Sequence, residues 1–398
     1  MPALRALFLV SGAALGLIFP FIPVLLQTRG FDPTSIGLVS AIAGTAYAVS
    51  VPVWGHLGDV TLGRARAYQV AALGAGVVML AYSAPLPSVL LAVVVVGFFV
   101  FESAFAPLGD ALAVSLLPDP GRQYGRVRLL MSLSFAFTAI AAGFLYNQVG
   151  YGMVPLLWAL GAGATALVLV PLTRVRQRRE VRRAGVRGGS IGVALAAQPR
   201  LRGILVAIAL VYVGISGAAT FLALRLVALG GQPSDLALSS GLGALAEVPG
   251  ILLATWAARR LGLRTLFCAS AIVYCACIIS WTVLDVPLVI IATRALSGVA
   301  FAGLWIACVL TMRVLLPQTL QASGQALYQT VAAGIATVLG NVIGGVIYEQ
   351  IGAGLFAVLG VIGLVGAVVA WVTLPGGAES RAGLAPDARR AGEAAAPA

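Results

Sequence analysis

The chain has 398 residues, 60% of them hydrophobic and only 10% charged, with a mean hydropathy of +1.02. Soluble domains carry about 25% charged residues, so the composition excludes an ordinary soluble protein and points to one embedded in a lipid bilayer. The net charge is +12 and every basic residue is arginine; most of these arginines sit between apolar runs or at their ends, a pattern that the positive-inside rule explains without a nucleic-acid partner.

A helix needs roughly 20 apolar residues to span. Twelve such runs follow one another: Leu4–Gln27, Ser35–Trp54, Ala67–Ser83, Ser88–Ser115, Val127–Tyr146, Met153–Thr173, Leu201–Leu226, Asp235–Ala257, Thr265–Leu284, Pro287–Leu315, Ala322–Tyr348 and Gly354–Leu374. The first run is long enough to span and lacks a convincing cleavage site for a signal peptide. Pro20 and Pro23 interrupt it, as breaks do around transport sites.

With the amino terminus in the cytoplasm, Arg5, Arg64, Arg66, Arg122, Arg126, Arg128, Arg259, Arg260, Arg264 and Arg313 all fall at or near cytoplasmic ends. Only Arg29 lies clearly outside. Both termini are therefore expected inside. The domains expected are a six-helix unit over 1–173, a basic cytoplasmic linker over 174–200, a second six-helix unit over 201–374 and a disordered tail over 375–398. The linker contains RVRQRREVRRAGVRGG, which suits an anionic inner leaflet.

The halves repeat faintly. Tyr146-Asn147-Gln148-Val149-Gly150 matches Tyr348-Glu349-Gln350-Ile351-Gly352, and one constant offset also relates Gly143 to Gly345 and Trp54 to Trp256. Two related six-helix halves around a midplane site is a transporter plan.

Cys268, Cys275, Cys277 and Cys308 all lie in apolar runs, and the sole histidine is His56. That spacing holds no metal and no disulfide pattern, and no cofactor is expected. No Ser/His/Asp set is available for an enzyme. No GxxxxGK[ST] loop occurs, so ATP does not drive the chain directly.

The charges inside the apolar runs carry the argument, because a charge in a bilayer is costly and usually serves a pathway. Glu102 lies about 20 Å from the start of its run at Ser88. Asp110 follows eight residues on, about 80° around the helix and about 12 Å deeper, with Pro107 between them as a kink. Arg128 opens the next run at the depth where this one ends, so an Asp110–Arg128 pair is expected. Glu247 sits midway along the eighth run. Arg294 lies about 10 Å into the tenth, placed to pair Glu247 or to bind an anion with its planar fork. Arg225 is expected to snorkel. Burial away from water favours the protonated form of a carboxylate, so Glu247, Asp110 and Glu102 are the candidate proton carriers. Tyr47, Tyr212 and Trp305 are the candidate aromatic cavity residues.

Gly55-His56-Leu57-Gly58-Asp59-Val60-Thr61-Leu62-Gly63-Arg64-Ala65-Arg66 resembles the cytoplasmic loop signature of the major facilitator superfamily. Gln123-Tyr124-Gly125-Arg126-Val127-Arg128 and Ala246-Glu247-Val248-Pro249 resemble the branch with phenylpropionate permease and nucleoside–proton symporters, akin to lactose permease. The resemblance implies an all-α membrane fold of twelve helices in two pseudo-symmetric bundles. It implies gating roles for Asp59 and Arg64, and coupling or binding roles for Asp110 and Arg128. It also implies a monomer in the bacterial inner membrane that moves a small organic solute by alternating access with proton symport. Proton-antiport efflux of drugs or sugars is the alternative, since Phe31 to Gly37 resembles the entry to helix two of efflux relatives. A receptor on the same fold and a membrane enzyme are the other classes.

Overall fold

The computed structural model describes residues 2–173, 199–316 and 320–376. The arginine-rich part of the expected linker and nearly all of the expected tail lie outside them. Among the described residues the secondary structure is helical, with no strand.

The first half begins with a broken helix, α1a (Pro2–Gly16) and α1b (Ile22–Thr28), joined through one 3-10 turn at Phe19–Phe21. Pro20 and Pro23 cause the break, since neither has an N–H for the helical ladder. Then come α2 (Pro33–His56), α3 (Arg64–Leu80), α4a (Ser88–Glu102), α4b (Phe105–Leu116), α5 (Pro120–Val149) and α6 (Val154–Thr173). The second half has α7 (Pro199–Ala228), α8 (Pro233–Leu261), α9 (Leu263–Ser280), α10 (Pro287–Leu315), α11a (Gln321–Gln329), α11b (Ala336–Ile351) and α12 (Gly354–Thr373). Wide π turns continue α2 at Leu57–Thr61 and join α11a to α11b at Thr330–Ile335.

Eleven of the described helical segments are long and apolar enough to cross a membrane. The remaining run, around α3, is helical over 17 residues. The fourth run is not one helix. It breaks at Ser103-Ala104, because Pro107 has no N–H for the Ser103 carbonyl and its ring crowds that oxygen. Helix α5 starts at Pro120, earlier than the apolar run at Val127, so Arg126 and Arg128 lie inside a helix. Proline suits that first position because its missing N–H would be unpaired there anyway.

The two halves pack by one plan. In the first, α1 lies on α5 and α6, α3 lies on α4a and α6, and α2 lies on α4a. In the second, α7 lies on α11b and α12, α9 on α10 and α12, and α8 on α10. Turns correspond too. The described positive-φ residues are all glycines and fall in pairs, Gly30 with Gly230, Gly63 with Gly262 and Gly150 with Gly352. Each pair ends or starts equivalent helices, where a side chain would be strained.

The halves meet along two seams, α2 against α11b and α5 against α8, with α1b also touching α7. Small residues bring the backbones together, the usual packing device in a bilayer. A Cβ at Gly345 would stand 2.8 Å from the Pro33 carbonyl oxygen, and one at Gly143 would stand 2.9 Å from the Pro233 carbonyl oxygen. Both contacts lie at the end of the bundle remote from the start of α1a and the end of α12. Polar clasps lie there as well. Ser234 N–H donates to Asn147 Oδ1 at 3.0 Å, Asn147 Nδ2 donates to Ser234 Oγ at 3.0 Å, and Thr34 N–H donates to Glu349 Oε2 at 3.3 Å.

Candidate functional site

The break in α1 and the two seams frame a cavity of about 370 Å³ between the halves. From the first half it is lined by Phe19, Pro20 and Pro23 of α1, Ser40 and Gly44 of α2, Phe99 of α4a and Phe135 of α5. The second half contributes Thr220 of α7, Ser239 and Ser240 of α8, Arg294 of α10, and Thr337 and Asn341 of α11b. Apolar and aromatic walls with a few convergent polar groups are the ordinary make-up of a small-molecule site.

Arg294 is the charged group of this cavity. Its Nη1 donates to Tyr274 Oη at 3.3 Å and to Ser297 Oγ at 3.1 Å, and the guanidinium lies 5.7 Å from the Trp281 ring centre. All three partners are neutral. Its Nε is buried without a hydrogen-bond partner. The guanidinium rests on α8 at Gly243, where a Cβ would stand 3.1 Å from Nη2. One turn further along α8 stands Glu247, half-buried and within electrostatic range of Arg294. No ion pair joins the two among the described residues.

The first-half acids form a second cluster. Glu102 is the last residue of α4a, 6% exposed, with Oε2 unpartnered. Asp110, on α4b, has its Oδ1 4.0 Å from Arg128 Nε, as the spacing in the sequence suggested. Tyr47 on α2 and Tyr68 on α3 both lie within electrostatic range of Glu102, Asp110 and Arg128. Tyr47 thus belongs with these charges and does not line the cavity.

Tyr212 and Trp305 do not line it either. The Tyr212 hydroxyl pairs with that of Tyr328 at 3.0 Å inside the second half, and Trp305 is 40% exposed. Arg225, expected to snorkel, reaches the exposed Asp285 in the connector before α10 and pairs with it at 2.7 Å. In the loop after α2, Arg64 Nε donates to Asp59 Oδ1 at 2.9 Å and Arg64 Nη1 to the Ala111 carbonyl at 3.3 Å, which ties the loop to α4b next to Asp110. The four cysteines are buried and free, and among the described residues no His, Cys, Asp or Glu cluster is arranged to hold a metal.

Reasoning from sequence missed the neutral polar lining: Ser40, Ser239, Ser240, Thr337 and above all Asn341. One signal was available. The chain has only two asparagines, Asn341 within an apolar run and Asn147 directly after one.

The sequence pattern of the MFS_1 like family matches residues 2–358. The chain belongs to that family. This major facilitator chain is 27% identical over 346 residues to a maltose permease of Geobacillus stearothermophilus, covering 85% of this chain and 86% of the permease. It is likewise 27% identical over 360 residues to a probable 3-phenylpropionic acid transporter of Escherichia coli, covering 88% of this chain and 91% of that one. Its fold is similar to the crystal structure of the nucleoside transporter NupG, with TM-score 0.79, 15% identity and coverage of 94% and 98% of the two chains. It is also similar to a D-xylose-proton symporter, with TM-score 0.70, 14% identity and coverage of 95% and 98%. The chain is therefore a multi-pass membrane transporter of the major facilitator kind and not an enzyme.

Proposed function

We propose that this chain is a proton-coupled symporter that takes a small organic solute inward by alternating access. The observation that carries the reading is the cavity between the halves, with both halves contributing polar groups and Arg294 supplying an unpaired donor. A site shared between two bodies changes its access when the bodies rock against each other. In this reading residues 1–173 and 201–374 are those bodies and α3 crosses as the twelfth span. The chain works as a monomer in a bacterial inner membrane with both termini in the cytoplasm. The seams then close the outer end, and the site opens inward. Relatives named for maltose and 3-phenylpropionic acid, and neighbours named for nucleoside and D-xylose, support a solute of one or two rings.

Coupling follows from the neighbours of Arg294. When Glu247 is ionised it competes electrostatically for the guanidinium; when it is protonated the guanidinium is left to the solute. Solute and proton then favour each other by linkage. Glu102 and the Asp110–Arg128 pair, with Tyr47 beside them, give the first half its own charge-dependent preference. The Asp59–Arg64 contact holds the loop after α2 against α4b and latches one arrangement of that half.

Purified protein in liposomes tests the direction. With the interior made alkaline, labelled maltose, D-xylose, uridine or 3-phenylpropionate should accumulate inside, and the gradient should collapse faster when the solute is present. Accumulation driven only by an acidic interior would replace symport with antiport, the reading that the efflux-like entry to α2 favours. Equilibration that ignores the gradient would remove coupling altogether.

A further inference from the structure

Asn341 lines the cavity, is only 2% exposed and is held in one orientation. Its Nδ2 donates to the Thr337 carbonyl, one turn back on α11b, at 2.8 Å. A carbonyl only accepts, so the amide nitrogen must face Thr337 and Oδ1 is the end left over. That Oδ1 is buried with no hydrogen-bond partner. The side chain has little room to swing away, because the residue is almost fully buried and its amide is tied to Thr337, while its backbone carbonyl packs against Gly37 of α2 at the seam. An unpaired buried acceptor is costly and calls for a donor. In the same cavity Arg294 Nε is an unpaired buried donor and calls for an acceptor.

We infer that Asn341 is a specificity-determining residue that accepts a hydrogen bond from the solute, so that the site selects solutes bearing a hydroxyl or N–H donor beside an acceptor for Arg294. This inference rests on the proposed role of the cavity as the solute site. A solute of the same shape whose hydroxyl is methylated leaves Oδ1 unpaired and loses affinity. Sites built to bond a polar group reject analogues that lack it, because the protein group is stranded. Asn341 also stands one turn from Gly345, the close contact of the α2–α11b seam. A solute held there braces that seam.

The test is equilibrium binding, read as thermal stabilisation of the full chain in detergent. The probes are uridine, D-xylose and 3-(3-hydroxyphenyl)propionate, each against its O-methylated counterpart, on wild type, Asn341→Leu and Asn341→Asp. We expect wild type to bind the free-hydroxyl member of at least one pair about three- to tenfold more tightly. Asn341→Leu should lose that ratio, and Asn341→Asp, which keeps an acceptor at the same place, should keep it. An unchanged ratio in Asn341→Leu overturns the inference, as does equal binding of both members of every pair to wild type. If the leucine variant fails to fold, Asn341→Ala, smaller and equally without an acceptor, takes its place and must lose the ratio in the same way. No proton gradient enters the measurement, so a failure of coupling leaves the ratio intact. Failure of every probe to bind overturns both the inference and the solute site beneath it.

Discussion

Asn147 and Ser234 hold each other reciprocally across the two halves. The Ser234 N–H donates to Asn147 Oδ1 and the Asn147 amide donates back to Ser234 Oγ, both at 3.0 Å. The same amide also donates to Gln232 at 2.9 Å, just before the start of α8. The equivalent clasp joins Glu349 to the start of α2 at Thr34. In each, a side chain from one half caps the first turn of a helix in the other, where backbone donors are otherwise unpaired.

Removing the first clasp should loosen the seam. Asn147→Ala deletes three partly exposed hydrogen bonds, worth about 1 to 2 kcal/mol together at the low end of the usual range, enough to shift a two-state equilibrium roughly five- to thirtyfold. A cysteine placed at Ser240, in the cavity wall, reports the shift in a background with the four native cysteines replaced. Its labelling by a membrane-impermeant maleimide from the seam side should speed up about fivefold or more in Asn147→Ala. An unchanged rate would mean that glycine packing alone holds the seam.

A wedge should do more. A Cβ at Gly345 would stand 2.8 Å from the Pro33 carbonyl and 3.1 Å from the Thr34 Cα, both backbone atoms that side-chain motion does not relieve. Gly345→Leu should hold the seam apart, raise labelling at the Ser240 position and cut transport at least tenfold. Its melting temperature should fall only modestly, because the strain falls between the halves and not within one. Collapse of expression with no labelling change would assign Gly345 to folding.

The loop after α2 is expected to affect turnover more than binding. Arg64 is 17% exposed and joins Asp59 to the Ala111 carbonyl. Asp59→Asn keeps the shape and removes the charge. We expect about a tenfold loss of kcat with KM within about twofold, the signature of a step after binding. A rise in KM alone would argue against a gating role.

At the start of α2, the Ser35 backbone N–H donates to Asp32 Oδ1 at 2.7 Å and holds that carboxyl below the usual carboxylate value. A lowered folded-state value means that its stabilisation is present above the unfolded value and fades as the pH falls through the folded one. Asp32→Ala should therefore cost about 1 kcal/mol at neutral pH and progressively less toward strong acid. Thermal melts of both proteins across that range check the sign.

The sequence disclosed the parts of this molecule that depend on local chemistry. Pro20 and Pro23 interrupt α1, which ends at Gly16 and resumes at Ile22, and the Asp110–Arg128 spacing brings those charges to 4.0 Å. Pro107 announced a kink, but the break falls four residues earlier, because the crowded and unpaired carbonyl belongs to Ser103. The cavity lining was not legible. Serine, threonine and asparagine in an apolar run look alike in sequence, and whether they face lipid, a sister helix or the opposite half is decided by packing between distant segments. Tyr212 shows the same limit: its hydroxyl meets Tyr328 within the second half, a contact that no periodicity announces.

The most direct measurement compares gradient-driven accumulation with solute exchange in liposomes carrying Glu247→Gln. Proton coupling through Glu247 predicts that the variant still exchanges external for internal solute at no less than about a third of the wild-type rate, while accumulation against a gradient falls at least tenfold. Accumulation that persists in the variant with its pH dependence intact would show that Glu247 does not carry the proton.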